Sequence, residues 1–170
     1  MTHERWSILA GLIALATAAT VVIRPNPLLI WNASASVPIG LYAIEAAGRL
    51  HVTELVAVDP PPDLAGFLAA RGYLPRGVPM LKHILALPGQ TVCRSGRSVS
   101  VDGMAMGDAL DRDSLGRPLP VWQGCQRVSD GSIFLMNRES EHSFDGRYFG
   151  LLPASTIVGR AVPLWTHEED

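Results

Sequence analysis

Lysine is almost absent from this chain. Of the 14 basic residues in its 170, thirteen are Arg and one is Lys82. Against 16 acidic residues this leaves a net charge of −2 and no basic field. A nucleic-acid binder held by phosphate contacts is therefore not expected. Charge of either sign is scarce as well, at 18%, below the usual quarter. With a mean hydropathy of +0.20 the chain is too apolar to be disordered. There are only two cysteines, Cys93 and Cys125. In a reducing compartment they would be two small apolar residues. Outside the cytoplasm they could pair, and a Cys93–Cys125 disulfide is the expectation. The five His (His3, His51, His83, His142 and His167) are scattered. No two of them have metal-ligand spacing, so no metal site is read and no cofactor is called for. Internal repeats are missing, and so is a βαβ rhythm, which argues against a doubly wound fold.

Turn residues, by contrast, are plentiful. Sixteen Gly and thirteen Pro argue against a helix bundle, and the length suits one domain. The apolar residues are unevenly spread. Residues 7–23 read SILAGLIALATAATVVI, without a charge, between Arg5 and Arg24. A bilayer core takes about 20 apolar residues as helix, with a range of roughly 17–25. Trp6 suits an interface, and the Arg24-Pro25-Asn26-Pro27 segment cannot continue a helix. A cleaved signal peptide and a buried core helix compete with a single uncleaved anchor, and the anchor is preferred. The expected organisation is a short tail (1–6), a transmembrane anchor (7–24) and one domain (25–170). Arg5 and Arg24 balance each other, so charge alone does not orient the anchor.

The remaining chain reads as short strands with one small helix. Residues 41–44, 55–58, 78–87, 99–101, 132–136 and 156–162 are strand candidates, and Asp102-Gly103 is a turn. Asp63 opens a helix over 64–71 that Gly72 ends. Residues 107–120 read as a loop.

The lone lysine stands in the most apolar of these strands. Read with period two, residues 78–87 place Lys82 on a face with Val78, Met80, Ile84 and Ala86. Arg cannot lose its proton in a protein, whereas a buried Lys can. A neutral Lys is a general base. The alternative is a Lys whose stem packs while its head reaches water. Two other segments offer it partners. WNASASVPIGLY, residues 31–42, holds Ser34 and Ser36 ahead of a turn stiffened by Pro38 and Gly40. A serine nucleophile needs a base for its proton and donors for the oxyanion, and Ser36 N–H with the Ser34 hydroxyl could supply the donors. An ordinary polar turn has the same composition. NRESEHSFDGR, residues 137–147, is a polar loop between buried strands. There Asp145 and Arg147 could pair, and Ser143 could orient a lysine amine. Glu139, Glu141 and His142 fit a solvated face.

Taken together, these residues resemble the three boxes of type I signal peptidases. The boxes are Ser-x-Pro behind an N-terminal anchor, a Lys in an apolar strand that ends in Pro-Gly, and Ser-x-Asp-x-Arg-Tyr-x-Gly followed by Val-Gly-Arg-Ala. The finer resemblance, over residues 30–163, is to the conjugative-transfer, TraF-type signal peptidases. It implies a mainly β fold, a signal-peptidase-like β-barrel or sandwich, behind one transmembrane helix. It implies Ser36 as nucleophile, Lys82 as general base, Ser34 at the oxyanion, Ser143 holding the lysine, and Asp145 with Arg147 in support. The implied setting is the bacterial cytoplasmic membrane with the catalytic domain in the periplasm. The implied partner is an exported precursor, a signal peptide or pilin propeptide, cleaved or cyclised. The sequence departs from the general family in having one residue between Ser36 and Pro38, extra residues between Asn137 and Ser143, and Gly146 where a Ser is expected. A housekeeping signal peptidase and a non-catalytic, membrane-anchored β module of a secretion or conjugation complex stay open as alternatives.

Overall fold

A computed structural model describes residues 29–167, with residues 6, 8–10 and 12 as parts of a helix. Most of the expected anchor, 7–24, lies outside the described residues. Among the described residues no helix is long and apolar enough to cross a membrane.

The domain is mainly β. Its elements in chain order are β1 (Leu29–Asn32), β2 (Ile39–Glu45), β3 (Leu55–Val58), helix α1 (Pro62–Ala70), β4 (Met80–Ala86), β5 (Thr91–Ser95), β6 (Ser98–Val101) and β7 (Met104–Asp108). Then come β8 (Gly124–Arg127), β9 (Ser132–Leu135), the one-turn helix α2 (Gly146–Phe149), β10 (Leu151–Pro153), a 3-10 turn (Ala154–Thr156) and β11 (Ile157–His167). Helix α1 starts at Pro62, earlier than expected, because a proline at the first helical position gives up a hydrogen bond that the helix would not make there. Asp63 in the first turn complements the helix dipole.

Among the described residues all strand pairings are antiparallel, in two sheets. The larger has the order β1-β2-β11-β3-β4-β9-β10 and the smaller the order β7-β6-β5-β8. The larger sheet does not close, so the expected barrel is corrected to an open sheet. Its edges are strands of only four and three residues, β1 and β10, which do not pair with one another. The four strands left over build a sheet of their own. The two sheets are joined by a shared core in which Leu85, Ala86, Phe134 and Met136 meet Val92, Val99 and Val101. A second core places Leu68 of α1 on Val56, Val58, Met80, Ile84 and Leu135. A third lies beneath the first hairpin and contains Ile30, Val37, Tyr42, Ala57, Leu81 and Ala161.

Strand β4 is interior to the larger sheet, between β3 and β9, and Lys82 lies opposite Val56. Strict alternation ends at Ile84, where a bulge shifts the register with β9. The bulge brings Leu85 and Ala86 together into the shared core. The segment 107–120 is more ordered than the expected loop. Strand β7 runs to Asp108, and an antiparallel bridge joins Arg112 to Pro118. Cys93 and Cys125 face each other across β5 and β8 and are joined as a disulfide.

Candidate active site

The β1–β2 hairpin carries Ser34 and Ser36, and one buried side chain shapes its loop. Asn32 Nδ2 donates to the carbonyls of Ser34 (2.8 Å), Val37 (3.0 Å) and Pro38 (3.1 Å). Its Oδ1 accepts from Ser34 N–H at 3.2 Å. Tyr42 Oη donates to the Pro38 carbonyl at 2.6 Å. Three carbonyls turned inward onto one amide leave the serine hydroxyls on the outside of the turn. Ser34 is exposed and Ser36 half-buried. Ser34 Oγ donates to Ser36 Oγ at 2.9 Å and accepts from Ser36 N–H at 3.2 Å. In this state both expected oxyanion donors are engaged, the Ser36 N–H on Ser34 Oγ and the Ser34 hydroxyl on Ser36 Oγ.

Lys82 is buried on β4, 5% exposed. Its Nζ donates to Ser143 Oγ at 2.7 Å. Burial pushes the ammonium down from 10.5 to about 8. The Asp145 carboxylate opposes this shift and the Arg147 guanidinium adds to it. Asn137 fixes the backbone on both sides of the lysine. Its Nδ2 donates to the Leu81 carbonyl (3.2 Å), and its Oδ1 accepts from His83 N–H (3.0 Å).

Ser143 is held from behind by the two charged residues of the third segment. Arg147 Nε and Nη2 grip the Asp145 carboxylate, both at 2.9 Å, and both residues are fully buried. Arg147 Nη2 also donates to the carbonyls of Ser140 (2.6 Å) and Ser143 (3.2 Å). Asp145 accepts from Asn137 N–H at 3.1 Å and caps α2 by accepting from Arg147 N–H. Phe144 stacks on Tyr148 and on Phe67 of α1, both at 5.2 Å. Gly146 leaves no room for the expected serine. A Cβ there would lie 2.6 Å from the Leu135 carbonyl and 2.6 Å from the Phe134 ring. Glu139, Glu141 and His142 are exposed, as expected of a solvated face.

Ser34, Ser36, Lys82 and Ser143 line one cavity of about 340 Å³. Asp145 and Arg147 stand outside its lining and support the loop that Ser143 belongs to. The disulfide pair lies in the smaller sheet and takes no part. In this state Ser36 Oγ is bonded to Ser34 and Lys82 Nζ to Ser143. One wall of the cavity comes from the 107–120 segment through Leu110, Asp113, Ser114 and Leu119. Asp113 ties that wall to the neighbourhood of α1, accepting from Tyr73 Oη at 2.5 Å and pairing with Arg71 and Arg117. Burial opposes it, but the hydrogen bonds from Tyr73, Arg117 and Leu115 hold the Asp113 carboxyl below the usual carboxylate range. Asn32, Asn137 and Asp113 do not stand out in the sequence. Each is an ordinary turn residue by composition, and its bonds are set by register.

A family model described as signal peptidase, peptidase S26, matches residues 3–165. A conjugal transfer protein TraF of Agrobacterium fabrum is 36% identical over 148 residues, spanning 81% of this chain and 82% of that protein. A probable conjugal transfer protein TraF of Sinorhizobium fredii is 37% identical over 147 residues, spanning 80% and 76%. A probable signal peptidase I-1 of Synechocystis is 33% identical over 107 residues, spanning 63% and 50%.

Proposed function

This chain belongs to the signal peptidase family, peptidase S26, and on that footing we propose that it is a membrane-anchored serine endopeptidase with a Ser36/Lys82 dyad. The observation that carries this is the lysine amine, buried, brought down to about 8 and opening on the same cavity as Ser36. Neutral Lys82 takes the Ser36 proton as Ser36 Oγ attacks the scissile carbonyl. Ser143 holds the amine in place. Ser36 N–H gives up its bond to Ser34 Oγ, and the Ser34 hydroxyl its bond to Ser36 Oγ, for the oxyanion. Lys82 then protonates the leaving amine, and an acyl-enzyme on Ser36 remains for release.

The substrate we assign is an exported precursor of a conjugative-transfer system, a pilin above all. The support is that the two relatives at 36% and 37% identity are conjugal transfer proteins. The setting we assign is the cytoplasmic membrane, with residues 7–24 as a single span and the domain in the periplasm. The apolar run supports the span. Leu29, Trp31, Leu164 and Trp165, each more than half exposed, support a domain lying against the bilayer. Trp31 and Trp165 both neighbour Leu41 in register, and their rings stack at 5.8 Å. Aromatic side chains with a polar edge suit the membrane interface.

The test is precursor cleavage by the full-length chain in detergent. Ser36→Ala and Lys82→Ala should each abolish it. Lys82→Arg should fail as well, because a guanidinium stays protonated. With no second lysine in the chain, full activity in Lys82→Ala would end the dyad reading.

A further inference from the structure

Beside the cavity of Ser36 and Lys82 lies a second one, of about 500 Å³, and Ser36 is the one residue that lines both. The three segments of the site divide between them in the same way. In the β1–β2 loop, Ser34 lines the first cavity, and Val37 and Pro38 line the second. In β4 the change comes between Lys82 and His83, and in the third segment between Glu139 and Ser140. The two cavities thus form the two halves of one cleft, with Ser36 at its middle. A peptide whose scissile carbonyl stands at Ser36 must continue on both sides of it.

The halves differ in character. The first is walled by the α1 region and the 107–120 segment and holds the lysine. The second has a rim of exposed residues, Pro38, Thr53, Arg138 and Glu139, and so opens to water. Its floor is apolar, with Val37, Leu85 and Met136 buried and Met106 half-buried. The Asn137 amide is engaged on the Leu81 carbonyl and the His83 N–H. Arg138 and Glu139 carry opposite signs, so the rim favours neither charge. Unbranched thioethers adapt to apolar side chains of different shape. The rim is also fixed in place. Thr53 has φ +73°, in the left-handed region that β-branched residues rarely adopt, and its N–H donates to the Ile84 carbonyl at 2.7 Å. Strain of this kind gathers where the shape of a site matters. Arg138 Nε, donating to the Met106 carbonyl at 3.3 Å, ties the rim to β7. The volume lies within the roughly 300–1,000 Å³ of cavities that take small organic groups.

We propose that the second cavity binds the leaving side of the substrate: it takes the one or two residues that follow the scissile bond and selects an apolar side chain among them. The acyl part stays on Ser36 and suits the enclosed half. The part that departs needs the half that opens to water. The assignment rests on acylation of Ser36, as proposed above.

Acyl transfer reads this cavity directly, because an amine that captures the acyl-enzyme retraces the path of the leaving amine. The probe is N-acetyl-Ala-Ala-Ala p-nitrophenyl ester, given to the full-length chain in detergent. The acceptors are Leu-Gly-amide, Gly-Leu-amide, Ser-Gly-amide and Gly-Ser-amide. The acceptor amine attacks the ester carbonyl, the bond to Ser36 Oγ breaks, and the proton lost by the amine passes to that oxygen. Mass spectrometry gives the ratio of transfer to hydrolysis. At least one leucine acceptor should be captured about 10-fold better than its serine counterpart. Met106→Asp should bring the leucine acceptors down to the level of serine, while ester hydrolysis without an acceptor stays at the wild-type rate. Met106→Gln serves if the Asp variant does not fold, with a smaller loss of the same preference. Equal capture of leucine and serine acceptors overturns the selection and leaves the dyad standing. A preference that survives in the folded Met106 variants does the same. Slower acylation in Met106→Asp with the preference intact would place the acyl side in this cavity and overturn the assignment. Ester turnover that is absent, or that survives Ser36→Ala, overturns the peptidase reading, and the role of the cavity with it.

Discussion

An ammonium at Lys82 would keep one hydrogen bond, from Nζ to Ser143 Oγ, and lose the rest of its water. Its pKa of about 8 in the fold, against 10.5 in the open chain, is the measure of that loss. The gap corresponds to about 3 kcal/mol. Below pH 8 both states are protonated and the fold bears the whole penalty. Between about 8 and 10.5 the unfolded chain binds more protons than the folded one, so stability rises with pH. Above that range the penalty is gone. Lys82→Met should therefore stabilise the protein by about 2 kcal/mol at pH 7, after allowance for the lost Ser143 bond, and by far less at pH 10.5. Urea unfolding at the two pH values reads this directly. An equal gain at both would mean that the amine is not strained by burial. On the dyad proposed above, wild-type acylation should rise through about pH 8 and then level off, because the neutral amine would be the active form. Lys82 was legible in the sequence because its chemistry is rare in this chain. Asn32 and Asn137 were not, because an asparagine announces a turn and says nothing of which distant carbonyl it will meet.

The hairpin loop between β1 and β2 is held by one side chain rather than by its own backbone. Asn32 supplies a donor to three carbonyls, one of them the buried Val37 carbonyl. Asn32→Ala leaves these acceptors without that donor, at a cost of about 1–3 kcal/mol. The serines it positions should drift, and a displacement of about 1 Å can lower kcat about 10²-fold. Asn32→Asp has the same shape but turns a carboxylate toward the three carbonyls, so it should do no better. The split between kcat and KM on a precursor checks the idea, because only the serine hydroxyls of the proposed dyad and oxyanion site should move and substrate binding need not. Normal kcat in Asn32→Asp would show that the loop holds itself. Elements of this kind were only partly legible. Strands β3 and β9 stand on β-branched and aromatic runs that must be buried, and they were found. Strand β8, Gly124–Arg127, is exposed at all four positions and carries no apolar rhythm to betray it. The 107–120 segment is placed by Asp113 and its partners from the α1 region, which lie far away in the chain.

At the scale of the whole molecule, the smaller sheet reaches the third segment of the site through a buried cation in β5 and through the Asp108 carbonyl of β7, which accepts from Arg147 Nη1 at 3.3 Å. The composition, rich in turns and poor in charge, called for a β protein but could not decide closure. Closure depends on whether two short edge strands meet, and no local pattern records that. What the smaller sheet supplies instead is Arg94, 2% exposed, next to the disulfide in β5. Its Nη1 donates to the Arg147 carbonyl at 2.5 Å and to the Pro120 carbonyl at 3.4 Å, and its Nε donates to the Gly96 carbonyl. The disulfide and Arg94 should therefore separate stability from activity. The Cys93–Cys125 bond spans 32 residues, and a crosslink of that reach contributes about 2–4 kcal/mol. The double variant Cys93→Ala with Cys125→Ala should lose that much in urea unfolding. Well below its melting temperature its kcat/KM should stay within about 3-fold of the wild type, since neither cysteine lines the cavity. Arg94→Met should cost both. It leaves the Arg147 carbonyl without its buried donor, so the loop that carries Ser143 loosens and the lysine loses its fixed partner. A fall of about 10-fold or more in kcat, at a temperature where the variant is still folded, is the expected result. If the disulfide variant lost activity as steeply as Arg94→Met, the smaller sheet would be coupled to the site as a whole, and not through Arg94 in particular.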